Sequence, residues 1–178
     1  METFTFFFNQ IMSISVFAGI LLSIVLIYCL LIPENAFSKK IHFVVQKNIL
    51  LIGFFIALAA AISSLIYSNV IGYPPCLLCW YTRIAFYPQV ILFGIALWKK
   101  DFKITDYAIG LTLFGLAVSI FHVVSESIGK SVLPCEASGP SCLIKYVHEY
   151  GFITIPVMGL VSFASLLLLL LLAKKTVK

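Results

Sequence analysis

Residues 48–83 read NILLIGFFIALAAAISSLIYSNVIGYPPCLLCWYTR. No charge occurs before Arg83, and the run is too long for one membrane helix, which needs roughly 20 apolar residues. Gly72-Tyr73-Pro74-Pro75 breaks it. The stretch therefore predicts two spans joined by a turn. The second opens around Cys76 and ends near Trp98, because prolines at a helix start cost little where the first amides lack intrahelical partners anyway. Two spans back to back, with so little polarity between them, make this an all-α membrane protein.

The rest of the chain extends the pattern. Of its 178 residues, 62% are hydrophobic and 11% charged, far below the quarter or so that soluble domains carry. The charge-free run Ile11 to Ile32 predicts a retained span rather than a signal peptide. The preceding METFTFFFNQ has no basic segment, the apolar run is too long, and no small-residue cleavage site follows it. Further spans are expected from about Tyr107 to Val124 and from about Gly151 to Ala173, which makes five.

The net charge of +5 does not form a basic surface for nucleic acid. Its lysines cluster between apolar runs: Lys39, Lys40 and Lys47; Lys99, Lys100 and Lys103; Lys174, Lys175 and Lys178. Basic short loops stay cytoplasmic. Alternation puts all three clusters on one side and leaves only Lys130 and Lys145 for the other. The expected topology is N-terminus out and C-terminus in. The turn at Cys76 and Cys79 and the loop carrying Cys135 and Cys142 then both face outward, in an oxidising compartment.

Four of the five cysteines form these two close pairs. Cys29, alone in an apolar run, reads as a small hydrophobe. A C-x-x-C at a helix start keeps two sulfurs within bridging distance, and the free amides of the first turn lower a thiol pKa. The same spacing serves zinc, but a closed zinc site needs four ligands, and the C-x6-C spacing of Cys135 and Cys142 is unlike a second knuckle. Arg83 stands one turn inside a span, where a charge costs about 2.5–3.5 kcal/mol at mid-bilayer and less near the interface. Four residues after Cys79, it shares that residue's helix face. There it can stabilise a thiolate, donate to a ligand carbonyl, or snorkel outward beside Trp80 and Tyr81. Pro88 predicts a bend further along.

The loop from Glu126 to Tyr150 is rich in Pro, Gly and Ser. Its cysteine pair reads either as a staple or as a labile bond open to a partner thiol. Leu143 to Tyr150 alternates as a short interfacial helix, with Leu143, Tyr146, Val147 and Tyr150 on its apolar face. His122, near the end of its span, is expected at the depth of Cys79 and Arg83, placed to bind a ligand or move protons.

The C-x-x-C, the Arg four residues after its second Cys, Trp80-Tyr81, His122 thirteen residues before Cys135, the second cysteine pair, and Gly151-Phe152-Ile153-Thr154-Ile155-Pro156 together resemble the disulfide bond formation protein B family, including the shorter members of Gram-positive bacteria. The resemblance covers roughly Asn48 to Ala173. It implies a four-helix transmembrane bundle in residues 48–178; the additional helix and a basic cytoplasmic linker, read in 1–47 from the sequence itself, precede it. It further implies a thiol:quinone oxidoreductase of the bacterial plasma membrane. The Cys135–Cys142 disulfide would oxidise a DsbA-like thioredoxin-fold carrier, Cys135 forming the mixed disulfide and Cys142 resolving it. Electrons would reach Cys76 and Cys79, and Cys79, beside Arg83 and near His122, would face a ubiquinone or menaquinone from the membrane pool. The extra helix and the closeness of the loop pair depart from the better-known Gram-negative members. Vitamin K epoxide reductase homologues share the chemistry, but their loop cysteines precede the C-x-x-C. A metal-binding or assembly protein without enzymatic activity is the reading from a different class.

Overall fold

The computed structural model describes residues 2–130 and 140–175. Five helices follow one another: α1 Glu2–Leu31, α2 Ala36–Leu65, α3 Leu77–Lys99, α4 Ile104–Ile128 and α5 Ile155–Lys175. There is no β-strand among the described residues. α1, α4, α5 and α2 with its terminal π-turn are long and apolar enough to cross a membrane. α3, with 23 residues, carries Arg83, Pro88 and Gln89 and is packed between α2 and α4. The protein is a multi-pass membrane bundle. Alternation of the helices gives it a cysteine end, with the starts of α1, α3 and α5, and a lysine end.

Two stretches are more helical than the sequence suggests. α1 begins at Glu2 rather than near Ile11. α2 begins at Ala36, so the basic linker expected up to residue 47 shrinks to a turn. Asn35 caps α2, its side-chain oxygen accepting from the Phe37 amide at 3.4 Å, and lysines are good helix formers. At the lysine end, Lys174 pairs with Asp106 at 2.8 Å and Lys175 donates to the Leu30 carbonyl at 3.0 Å. The pair is exposed, so it contributes little.

One stretch is less helical. Residues 141–154 contain no helix, and the expected amphipathic helix over 143–150 is absent. Tyr150 and Gly151 adopt φ of 51° and 80°, a left-handed pair that stops helix growth. Glu149 and Ile153 instead exchange backbone hydrogen bonds at 3.0 and 2.9 Å. So short a segment cannot offset the cost of helix nucleation by itself. Its inward groups are Val147, 2% exposed, and Tyr146, which stacks on Tyr73.

Small residues set the helix spacing, as expected where apolar burial alone gives no preference between protein and lipid. A Cβ on Gly19 would meet Val161 at 2.7 Å, so α1 lies directly on α5. Ser165 donates to the Gly19 carbonyl at 3.2 Å, and Ser23 and Ser165 share a hydrogen bond at 3.0 Å. Gly53 makes the same room for Phe93, and Gly115 for Phe163, whose ring stacks on Phe86 at 3.8 Å. α3 stays helical through Pro88. Beside it the buried Gln89 donates to the Ala85 carbonyl and accepts from Thr112, which ties α3 to α4.

At the cysteine end α2 closes in a π-helical turn, Ile66–Val70. The wide turn leaves Tyr67 5% exposed, its hydroxyl donating to Asn9 of α1 at 3.1 Å. Asn9 and Gln10 in turn donate to the Glu149 carboxylate at 3.4 Å each. The expected N-terminal helix is thus joined to the bundle at its polar end.

Gly115→Val is expected to lower stability by about 1–3 kcal/mol, the usual cost of overpacking. Gly110→Val, where an added Cβ meets nothing within 4 Å, serves as a near-neutral control. Unfolding by denaturing detergent, followed by circular dichroism, distinguishes the two.

Candidate active site

The prolines at 74 and 75 deliver Cys76 as the N-cap of α3. Its backbone is extended (φ −77°, ψ 172°) and its sulfur accepts from the Cys79 amide at 3.3 Å. A helix start offers unpaired amides and the positive end of the macrodipole, so this is the position that favours a thiolate. Cys76 and Cys79 are free, with sulfurs 2.8 Å apart. Loss of two electrons and two protons would join them with little movement.

His122 reaches across from α4. Its Nε2 lies 3.2 Å from the Cys142 carbonyl oxygen and 3.8 Å from Cys76 Sγ. A carbonyl only accepts, so Nε2 carries the proton, and the same N–H is shared with the sulfur. His122 is 4% exposed. With that proton in place Nε2 has no lone pair for a metal, although Cys76, Cys79 and His122 have the grouping of a three-ligand site, all ligand atoms lying within 4.8 Å.

Cys142 is disulfide-bonded and 3% exposed. It packs with Cys76 and Leu78 in one buried cluster that Cys79, Val118 and Phe121 adjoin. Cys135 lies outside the described residues. Cys76, Cys79, His122 and Cys142 therefore border one cavity, together with Glu126, Tyr73 and Tyr146. Glu126, 8% exposed, accepts from the Thr154 hydroxyl at 2.7 Å. That bond ties the start of α5 to the end of α4.

Electrostatics at the N-cap follow this geometry. The Cys76 thiol is held well below the usual thiol range, chiefly by its hydrogen bond with Cys79. Burial opposes the shift, and the His122 contact adds to it.

Arg83 is 8% exposed and turns away from this cavity. Its Nε donates to Ser64 Oγ at 2.9 Å and its Nη2 to the Ser64 carbonyl at 3.0 Å, both on α2. Trp80 lies over the guanidinium at 5.0 Å. The arrangement satisfies a charge that lipid would not tolerate. A second cavity opens here, bordered by Thr82, Arg83, Tyr87, Tyr67, Met158 and, from α1, Met12. His122 does not border it. Ile155 stands at both cavities. Similar depth therefore does not bring His122 and Arg83 together, since their side chains border different cavities.

Tyr87 was missed from the sequence. It follows Arg83 by four residues, so Cys79, Arg83 and Tyr87 run down one face of α3. Its hydroxyl is buried with no hydrogen-bond partner, a state that costs about 1–3 kcal/mol and calls for an explanation. The i, i+4, i+8 spacing was the available signal.

Residues 46–173 match the family described as disulfide bond formation protein DsbB. The chain belongs to the DsbB family. Among its relatives, a probable disulfide formation protein C 2 of Bacillus anthracis is 35% identical over 127 residues, 71% of this chain and 91% of that protein. Disulfide bond formation protein C of Bacillus subtilis is 35% identical over 121 residues, 67% and 87%. An SPbeta prophage-derived disulfide bond formation protein B of the same species is 36% identical over 118 residues, 66% and 80%. No solved structure matches. The DsbB-family region begins within α2, so α1 lies outside it.

In the reduced protein, Cys76 is expected to remain reactive toward a small alkylating reagent at pH about 6, where an ordinary thiol of pKa about 8.5 is almost wholly protonated. His122→Ala should move the alkylation curve toward higher pH. Peptide mass analysis across the pH series reads the shift, and an unchanged curve would deny the histidine this role.

Proposed function

We propose that this membrane disulfide-formation protein reoxidises an extracytoplasmic DsbA-like thioredoxin-fold carrier and passes the electrons to a membrane quinone. The carrying observation is the burial of disulfide-bonded Cys142 against Cys76, with His122 donating toward both. Thiol–disulfide exchange requires a thiolate to reach a disulfide sulfur, and these two cysteines are already neighbours. The described lysines of the three clusters share one end of the bundle, which supports a cytoplasmic lysine end and an external cysteine end. On this reading the cell is bacterial and the membrane its plasma membrane.

Two thiols of the carrier reduce the Cys135–Cys142 disulfide and leave as the carrier's disulfide. Cys142, as thiolate, attacks Cys76 of the Cys76–Cys79 disulfide and expels Cys79 as thiolate. Cys135 then attacks Cys142, restoring the loop disulfide and releasing Cys76. The His122 N–H stabilises negative charge at Cys76 at that moment, as does the Cys79 amide. A bound quinone supplies the sink for two electrons and two protons and leaves as quinol.

The Arg83 cavity fits a quinone's chemistry. It presents a guanidinium with donors beyond those engaged by Ser64, and a Tyr87 hydroxyl with no partner, both suited to carbonyl oxygens. Arg83 and Cys79 share a helix face, which supports Cys79 as the sulfur nearest the ring. Ubiquinone and menaquinone both present such carbonyls.

The purified protein, mixed with a reduced thioredoxin-fold carrier and a quinone, should reduce the quinone, as followed by its absorbance. Cys79→Ser and Cys135→Ser should each abolish the rate; an unchanged rate in either would refute the proposal. Tyr87→Phe should raise the quinone KM about five- to tenfold, the loss of roughly one hydrogen bond of about 1 kcal/mol, with kcat little altered.

A further inference from the structure

The Arg83 cavity does not end at the protein core. Met12, Ala60, Ser63, Met158 and Ser162 border it and also border a second, larger space of about 560 Å³ that runs between α1 and α2 over α5. The shared residues set the two spaces side by side, with the Met12–Ser63 contact at their junction. The larger space is apolar, and small side chains at Ala18, Gly19 and Ala59 keep it open. Its rim at Leu22 and Ile62 is exposed, 38% and 47%, which on a membrane bundle means exposed to lipid.

The groove exists because of how α1 is held. α1 lies tight on α5 through Gly19 and Ser165. It meets α2 near the cysteine end, where Ser63 donates to the Met12 sulfur at 3.4 Å and Tyr67 to Asn9. It meets α2 again at the lysine end, where His42 Nε2 and the Cys29 carbonyl lie 3.4 Å apart. Between those contacts the two helices leave a gap.

We infer that α1 is the third wall of a groove holding the hydrocarbon tail of the quinone whose ring lies beside Arg83 and Tyr87. The inference rests on the proposed reading of the Arg83 cavity and deepens it. The occupant follows from the size and polarity of the two spaces. The first space is small and carries a cation and an unpartnered hydroxyl; the second is larger, apolar and open to lipid. A phospholipid would have to bury its charged, hydrated headgroup in the small space, whereas a neutral ring with carbonyl oxygens and a polyprenyl tail matches both. α1 lies outside the DsbB-family region, so this wall is a property of this chain rather than of the shared bundle.

The test uses the full chain in nanodiscs and quinones of one ring type, either without a tail or with a long isoprenoid tail carrying a photoreactive group. Illumination should label the α1 peptide containing Met12 to Leu22. Ala18→Phe and Ala59→Phe, both at the lipid-facing rim, should raise KM for the long-tailed quinone about tenfold, the order expected from losing two buried methylenes. They should leave the tail-less quinone unchanged. Ile14→Phe, exposed on α1 away from the groove, should alter neither.

Labelling confined to other helices, or equal effects on both quinones, would overturn the inference while leaving the thiol:quinone reaction standing. So would a photoreactive phospholipid that labels Met12 to Leu22 where the quinone does not. Neither labelling nor reduction of any quinone would overturn both readings. Should a Phe variant fail to fold, labelling of the unaltered chain still decides.

Discussion

The N–H on Nε2 of His122 joins the loop carrying Cys142 to the helix start carrying Cys76. Without a carbonyl to fix its proton, the imidazole could present a lone pair to the sulfur, and the cluster would be a three-ligand metal site by geometry. With the carbonyl there, the ring is a donor, and the sulfur it approaches is favoured as an anion. One backbone oxygen therefore separates two chemistries that share the same three side chains. Thr154 on Glu126 and the aromatic stack of Tyr146 on Tyr73 hold the loop from its other side. The contact does not depend on the histidine alone.

A second constraint comes from the medium. A guanidinium in an apolar bundle must find oxygen, and Arg83 finds it at Ser64 on α2. That pairing fixes the facing of α2 and α3 and draws the arginine away from the thiol cavity. The result is two compartments. One is bordered by Cys76, Cys79, His122 and Cys142, the other by Arg83 and Tyr87, with Ile155 between. Cys79 borders the first and shares its helix face with Arg83 and Tyr87, which border the second. On the proposed reading that is the property required of the residue that hands electrons from one compartment to the other.

The helical architecture was legible because lipid permits few alternatives: each backbone amide must be satisfied within its own segment, so apolar runs of sufficient length become helices. The Cys76 cap was legible for a similar reason, since two prolines before a C-x-x-C leave little choice of helix start. What escaped prediction is what periodicity does not encode. The alternation in 143–150 suits a helix, yet the left-handed pair at Tyr150 and Gly151 and the anchoring of Glu149 by α1 convert it into a turn. His122 could be placed at a depth but not on a side. Tyr87 escaped because an unsatisfied hydroxyl is visible only once its neighbours are known.

α1 is more than an appendage. A free-standing apolar helix in a bilayer has no hydrophobic reason to join a bundle, so its attachment has to come from close packing and from polar contacts. α1 has both: the Gly19 approach to Val161, the Ser23–Ser165 pair, and Asn9 and Gln10 bound to Glu149. The contacts with Glu149 connect α1 to the segment between Cys142 and α5. A helix tied to that segment at one end, and forming a side of the Arg83 cavity through Met12, touches both compartments of the site. Through Asn9 and Gln10 at one and Met12 at the other, α1 is common to both.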